Sequence, residues 1–190
     1  MQATLDARLI DKITASGRLY EVGGSVRDSL ISPDTANKDR DYLVTGISLE
    51  RLMAILHNFG KVDLVGKSFG VIKFTPRGES EATDIAIPRR EKSTGEGHRD
   101  FEVDFDPDLP VQVDLKRRDF TINAIAREIP SGEIIDPYGG RNDLGDKTIR
   151  MVFPEAMIED PLRIMRGGTV CGTIRICYRT GNSGSDEGER

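Results

Sequence analysis

The chain has few residues of the kinds that bind metals through soft donors or cross-link a fold. It has two cysteines and two histidines among 190 residues. Cys171 and Cys177 both lie near the chain end, outside any metal-ligand array and too few for a disulfide framework. His57 and His98 are too sparse for a histidine-built metal centre, and His57 in "LMAILHNFG" reads as a helix-end residue. Long apolar runs are missing as well: none approaches the roughly 20 residues that a membrane span needs. The opening "MQATLDARLIDKITASG" is an amphipathic, acid-bearing helix pattern without the layout of a signal peptide, so a cytoplasmic protein with no membrane partner is expected. No G-x-x-x-x-G-K-[ST] occurs, which excludes a P-loop. Positive charge is not in excess either. The net charge of −5 argues against a surface that is basic throughout, while a local basic groove stays open, because patches rather than totals attract phosphate.

What is present is enough for one large domain, or one domain with an appendage. Hydrophobic residues make up 37% and charged residues 31%. The patterning predicts a helix at about 3–15, a strand at "RLYEV", a turn and helix from Gly23–Gly24, and a strand at "DRDYLVTG". "SLERLMAILHNFG" has apolar residues at helical spacing, with Ser48 as cap and Gly60 as stop. "KVDLVG", "GVIKFTP" and "EATDIAI" read as strands between Gly/Ser turns. Residues 89–110 are charged and aperiodic and read as a mobile loop. "DLKRRDFTINAIARE" returns to helical spacing, "DPYGGRNDLGDKTIRMV" is a glycine-rich turn, short helix and strand, and "FPEAMIEDPLRIMR" begins another helix. No internal repeat is visible. The expectation is an α+β fold, a mixed sheet covered by helices.

The chemistry concentrates in "LYEVGGSVRDSLISPDTANKDRDYLVTG". Alternate strand residues share a face, so Asp39 and Asp41 project the same way about 7 Å apart along the chain. Two such carboxylates repel each other unless a cation lies between them, and Mg²⁺ prefers one or two carboxylates plus substrate phosphates. Gly23 and Gly24 let the backbone approach a phosphate, and a helix opening at Ser25 aims free N–H groups at it. Arg27 adds a charge-assisted contact, while Asp28 caps or braces the turn. A lone D-x-D is common and a lone glycine pair is usually just a turn. Their combination across one helix describes a nucleoside triphosphate site with a metal.

These residues carry a resemblance. "GGSVRD…DRDYLVTG" resembles the signature of the nucleotidyltransferase superfamily and, within it, the bacterial tRNA nucleotidyltransferase (CCA-adding) and poly(A) polymerase class. "RRDFTINAIA" at 117–126, "DPYGGRNDL" at 136–144 and "EDPLRIMR" at 159–166 resemble that family's ribose-recognising block, connector and base-reading block, in the family's order. The resemblance covers about residues 15–166. It implies a nucleotidyltransferase-type head at 1–152, the start of a helical neck at 153–166, and metal-dependent, template-independent addition of CMP and AMP from CTP and ATP to a tRNA 3′ end. It implies Asp39 and Asp41 as ligands of Mg²⁺ and Gly24, Ser25 and Arg27 at the triphosphate. Arg118, Asp119 and Asn123, expected on one helix, would meet the ribose. Asp160, Arg163 and Arg166 would read the base. Asp84 is the first candidate for a third catalytic carboxylate and Glu91 the second. Arg89 and Arg90 are candidates for phosphate or RNA. Arg40, between the two aspartates, points to the opposite face. Poly(A) addition is the close alternative.

Residues 167–190 do not continue the pattern. The family's next helix is apolar, whereas "GGTVCGTIRICYRTGNSGSDEGER" opens on two glycines, carries both cysteines and has no helical period. With suitable wobble bases, a one-base shift of the reading frame turns its first part into "AVQFAARFGFAIEPE", which resembles that helix. The expectation is a frameshifted, unstructured tail on a chain without the family's RNA-gripping domains. A nucleotide-binding fragment impaired in catalysis is therefore the second functional reading, and a natural or designed polar linker is the rival account of the tail.

Overall fold

The computed structural model describes residues 5–32, 40–65, 70–93, 101–153 and 177–178. Helix α1 (Ala7–Thr14) starts where Asp6 accepts a hydrogen bond from the Arg8 N–H, and it buries Leu9 and Ile13. Ser48 caps α3 (Leu49–His57) by accepting from the Arg51 N–H, and α3 buries Leu52 and Leu56. Gly60 opens the next strand, and the helix already stops at Asn58. These apolar stripes come together with Leu19, Tyr42, Val44, Ile72, Phe74, Ile85 and Ile87 in one core.

Those partners lie on a seven-stranded sheet of order β3-β4-β5-β2-β1-β8-β9. Its strands are β1 (Arg18–Val22), β2 (Asp41–Thr45), β3 (Gly60–Val65), β4 (Val71–Pro76), β5 (Thr83–Ala86), β8 (Ala126–Ile129) and β9 (Ile134–Ile135). Only β2 and β5 run parallel; the other pairs are antiparallel. The α+β mixed sheet expected from the sequence is thus what forms. The central strands β1 and β2 are buried beyond their first residue, with Glu21 the one charge enclosed in β1. Tyr20, Val22 and Leu43 face a second core with Val111 and Leu115 of α4 (Val111–Lys116).

Two expectations are corrected. Residues 89–110 are not simply a loop: β6 (Arg89–Ser93) and β7 (Phe101–Phe105) form an antiparallel hairpin. The alternation in "FEVDF" was the signal, obscured by the charged residues around it. Nor does the segment after α4 stay helical. Phe120 is extended (φ −117, ψ 148), fully buried, and bridges to Met151. The Thr121 N–H donates to the Arg150 carbonyl and the Val152 N–H donates to that of Asp119. This pairing draws the chain out of the helix, leaving a single 3-10 turn at Thr121–Asn123 before β8.

That turn is braced by α5 (Gly140–Gly145). A side chain on Gly140 would put its Cβ 2.2 Å from the Thr121 carbonyl oxygen, so only glycine permits this approach. Asp136 accepts from the Gly140 and Arg141 N–H groups at 2.7 and 2.9 Å, and buried Asp143 accepts from the Thr121 hydroxyl and the Arg150 guanidinium. β10 (Thr148–Ile149) pairs in parallel with β11 (Cys177–Tyr178).

Candidate functional site

The site begins where β1 ends. Gly23 takes φ 81 and ψ −137, a conformation that side-chain-bearing residues rarely adopt, and α2 (Gly24–Ile31) starts immediately after it. The unpaired N–H groups of the first helical turn therefore lie at the end of the central strand. Ser25 is buried there, and its hydroxyl has no hydrogen-bond partner among the described residues. A Cβ on Gly23 would sit 2.8 Å from Arg118 Nη1 and 3.9 Å from Asp41 Oδ2. The bare glycine thus makes room for a guanidinium on one side and a carboxylate on the other.

Arg118 is held from below by Asp114, which is fully buried in α4. Arg117 donates to Asp114 Oδ1 at 2.9 and 2.7 Å, while Arg118 Nη2 lies 3.5 Å from Oδ2, an ion pair without hydrogen-bond geometry. Burial pulls the Arg118 pKa below the ordinary arginine value, with Asp114 opposing the shift. Its Nε has no hydrogen-bond partner among the described residues. A largely covered guanidinium whose buried Nε is unused, and a buried hydroxyl that is also unused, are groups that can receive an anion.

Arg27, also buried, donates to Asp28 Oδ1 at 2.8 Å and to Asn123 Oδ1 at 2.6 Å. Asn123 in turn donates to Asp119 Oδ1 at 3.0 Å, and the same oxygen accepts from the Phe120 N–H at 2.8 Å. Arg118, Asp119 and Asn123 therefore do not lie on one helix as expected. The turn that replaces the helix still brings Asp119 and Asn123 into contact and ties them to α2.

The carboxylates come from the adjoining strands. Asp41 opens β2 and is the register partner of Asp84 on the parallel strand β5. Parallel neighbours lie about 4.8 Å apart, so the two project from one face side by side. Lys73 of β4 is the next partner in the row and donates from Nζ to Asp84 Oδ1 at 2.9 Å. This hydrogen bond raises the Lys73 pKa, and Asp41 adds a smaller pull in the same direction. Among the described residues no three or more His, Cys, Asp or Glu side chains converge as a metal cluster. Asp39 lies outside the described residues, as do Asp160, Arg163 and Arg166. Paired aspartates are hard oxygen donors at one or two positions, which suits Mg²⁺ better than a softer ion.

Arg40 faces away from this row, as alternation requires. Its Nε is 3.8 Å from Glu21 Oε1, and Thr83 donates its hydroxyl to the Arg40 carbonyl at 2.6 Å. Glu21 is buried and also pairs with Arg127 at 3.4 Å, and Arg127 donates to Ser29 of α2 at 2.5 Å. The sequence reading missed Glu21, Lys73 and Asp114. For Glu21 the signal was there, since a charge within the buried strand "RLYEV" requires a partner. Arg89 lies on β6, and the side chains of Arg90 and Glu91 lie outside the described residues. No helix among the described residues is long and apolar enough to cross a membrane.

Comparison with known proteins bears on the family and the fold. The chain is 43% identical over 149 residues to a multifunctional CCA protein of Xanthomonas campestris pv. campestris (strain B100), a match covering 78% of this chain and 33% of that protein. The structure resembles that of the Bacillus stearothermophilus CCA-adding enzyme in complex with CTP, with a TM-score of 0.73 and 31% identity over 91% of this chain and 40% of that one. It also resembles the Thermotoga maritima CCA-adding enzyme complexed with tRNA_CCA, with a TM-score of 0.68 and 26% identity over 93% of this chain and 40% of that one. The chain thus spans about a third of the length of the curated relatives it matches. Residues 19–150, from the start of β1 to the end of the connector, match the poly A polymerase head domain, and it is to this family that the chain belongs.

Proposed function

We propose that the chain carries the nucleotide- and metal-binding part of a tRNA nucleotidyltransferase, which adds CMP and AMP from CTP and ATP to the tRNA 3′ end and releases pyrophosphate. The observation that supports it best is the side-by-side pairing of Asp41 and Asp84 next to the Gly23–Gly24 turn and the under-used cation Arg118. Carboxylates, bare backbone and a guanidinium are the three groups that a metal-bound triphosphate needs, and the family match and the CCA-adding relatives favour this substrate over other phosphate esters.

In this reading the first-turn amides of α2 from Gly24, the Ser25 hydroxyl and Arg27 hold the phosphate oxygens, and Arg118, expected at the ribose, stands at the Gly23 turn where it can share them. Asp119 and Asn123, fixed through Arg27, accept and donate at the ribose. Asp39 and Asp41, with Asp84 beside them, would hold Mg²⁺, which when bound supplies charge neutralisation and lowers the pKa of the attacking hydroxyl. Asp160, Arg163 and Arg166 of the neck segment at 153–166 would choose the base, with residues 1–152 as the catalytic head.

The test is incubation of the chain with tRNA lacking CCA, Mg²⁺ and labelled CTP or ATP, beside an Asp39→Ala/Asp41→Ala variant. Incorporation that the variant abolishes is the expected result; incorporation that survives in the variant would remove the proposed site. The second reading is nucleotide binding without transfer. CTP binding without incorporation would support it. Homopolymeric A-tails would support poly(A) addition.

A further inference from the structure

The row of side chains across β4, β5 and β2 contains a cation that the proposed metal site does not use. Lys73, Asp84 and Asp41 are successive register partners, all on one face of the sheet. Lys73 Nζ is bonded to Asp84 Oδ1 at 2.9 Å, and both side chains keep contact with solvent, at 48% and 40% exposure. A half-exposed pair of this kind is weak, contributing about 0–1 kcal/mol, so it can open. A carboxylate oxygen that accepts from an ammonium has that lone pair engaged, and the positive charge beside it repels a second cation.

We infer that Lys73 is a built-in competitor of the divalent ion, holding Asp84 in an ion pair so that Asp84 joins the metal site only when the pair opens. The inference rests on the proposed metal site at Asp41. It assigns Lys73 a control role there: the lysine neutralises Asp84 while the site is empty and sets the ion concentration at which the third carboxylate is recruited. Lys73 acts through Asp84 and is a positioning residue rather than a catalytic one. The geometry distinguishes it from Arg118, which is less exposed, has an unused Nε and faces the glycine turn instead.

Mn²⁺ titration of the full 190-residue chain, read by the electron paramagnetic resonance of the free ion, tests this without requiring transfer activity. Five proteins are needed: the wild type, Lys73→Met, Asp84→Asn, the double variant, and Asp41→Asn as the control for the site itself. Lys73→Met is expected to tighten Mn²⁺ binding about three-fold, within the range such a pair allows. That gain is expected to vanish when Asp84→Asn is also present. Unchanged binding in Lys73→Met, with binding still lost in Asp41→Asn, would overturn the inference and leave the metal site standing. A gain that persists in the double variant would also overturn it, because Lys73 would then act by general charge rather than through Asp84. Absence of Mn²⁺ binding in both the wild type and Lys73→Met would remove the inference together with the site it rests on.

Discussion

At Gly23 two requirements meet in one residue: a positive φ that side chains avoid, and the open space that Arg118 and Asp41 share. Gly23→Ala is expected to cost about 1–3 kcal/mol of stability from backbone strain and to displace the Arg118 guanidinium, so CTP affinity should fall by more than the stability loss explains. Thermal unfolding beside CTP titration measures both, and unaltered CTP binding would count against the role given to the turn. Tyr42 tests the core beneath the D-x-D strand. Burial raises its pKa above the ordinary 10.0, with Arg40 opposing. Below that value the phenol is protonated in both folded and unfolded chains. Above it the unfolded chain ionises first, so stability is lost as pH climbs from 10 toward the raised folded value. Tyr42→Phe should flatten that alkaline decline in melting temperature, and an equally steep decline would show that other groups cause it.

Glu21 binds several elements together, with Arg40 before β2, Arg127 on β8 and, through Arg127, Ser29 on α2. Removing the buried carboxylate takes an acceptor away from two partly exposed guanidiniums, so Glu21→Ala is expected to cost about 1–3 kcal/mol, while Glu21→Gln should keep part of it. Urea unfolding of the two variants decides this; equal stability to the wild type would mean that water replaces the carboxylate. Elements of this kind show how far the sequence could be read. The helices announced themselves through spacing and caps, as Asp6 and Ser48 do, and the central strands through unbroken apolar runs. The glycine turn and the Asp41 strand were legible because the residue types of the proposed phosphate-and-metal site lie close together in the chain. "RRDFTIN" was not, since its helical spacing is overridden by the bridge between Phe120 and Met151, a partner many residues away. Asp84 was legible as a companion carboxylate, and the structure sets it opposite Asp41; its bond to Lys73 was beyond reach, because register between distant strands is set by the whole sheet.

Across the whole molecule, helices α1 and α3 close one face of the sheet, while α4 covers part of the other. The acidic row is left at the strand ends beside α2. A chain with a net charge of −5 nonetheless sets Lys73 on Asp84 in that row and Arg118 beside Asp41 at the Gly23 turn. Local arrangement, not total charge, makes the site fit for a triphosphate. The account stands on one claim, that Asp41 joins nucleotide to metal at this place. Calorimetric titration of the chain with CTP, with Mg²⁺ and then with excess chelator, tests it most directly when Asp41→Asn is run alongside. The account predicts saturable CTP binding that weakens at least about ten-fold, the equivalent of roughly 1.4 kcal/mol, both in chelator and in Asp41→Asn. Equal CTP affinity in all three cases, or none with Mg²⁺ present, would contradict it.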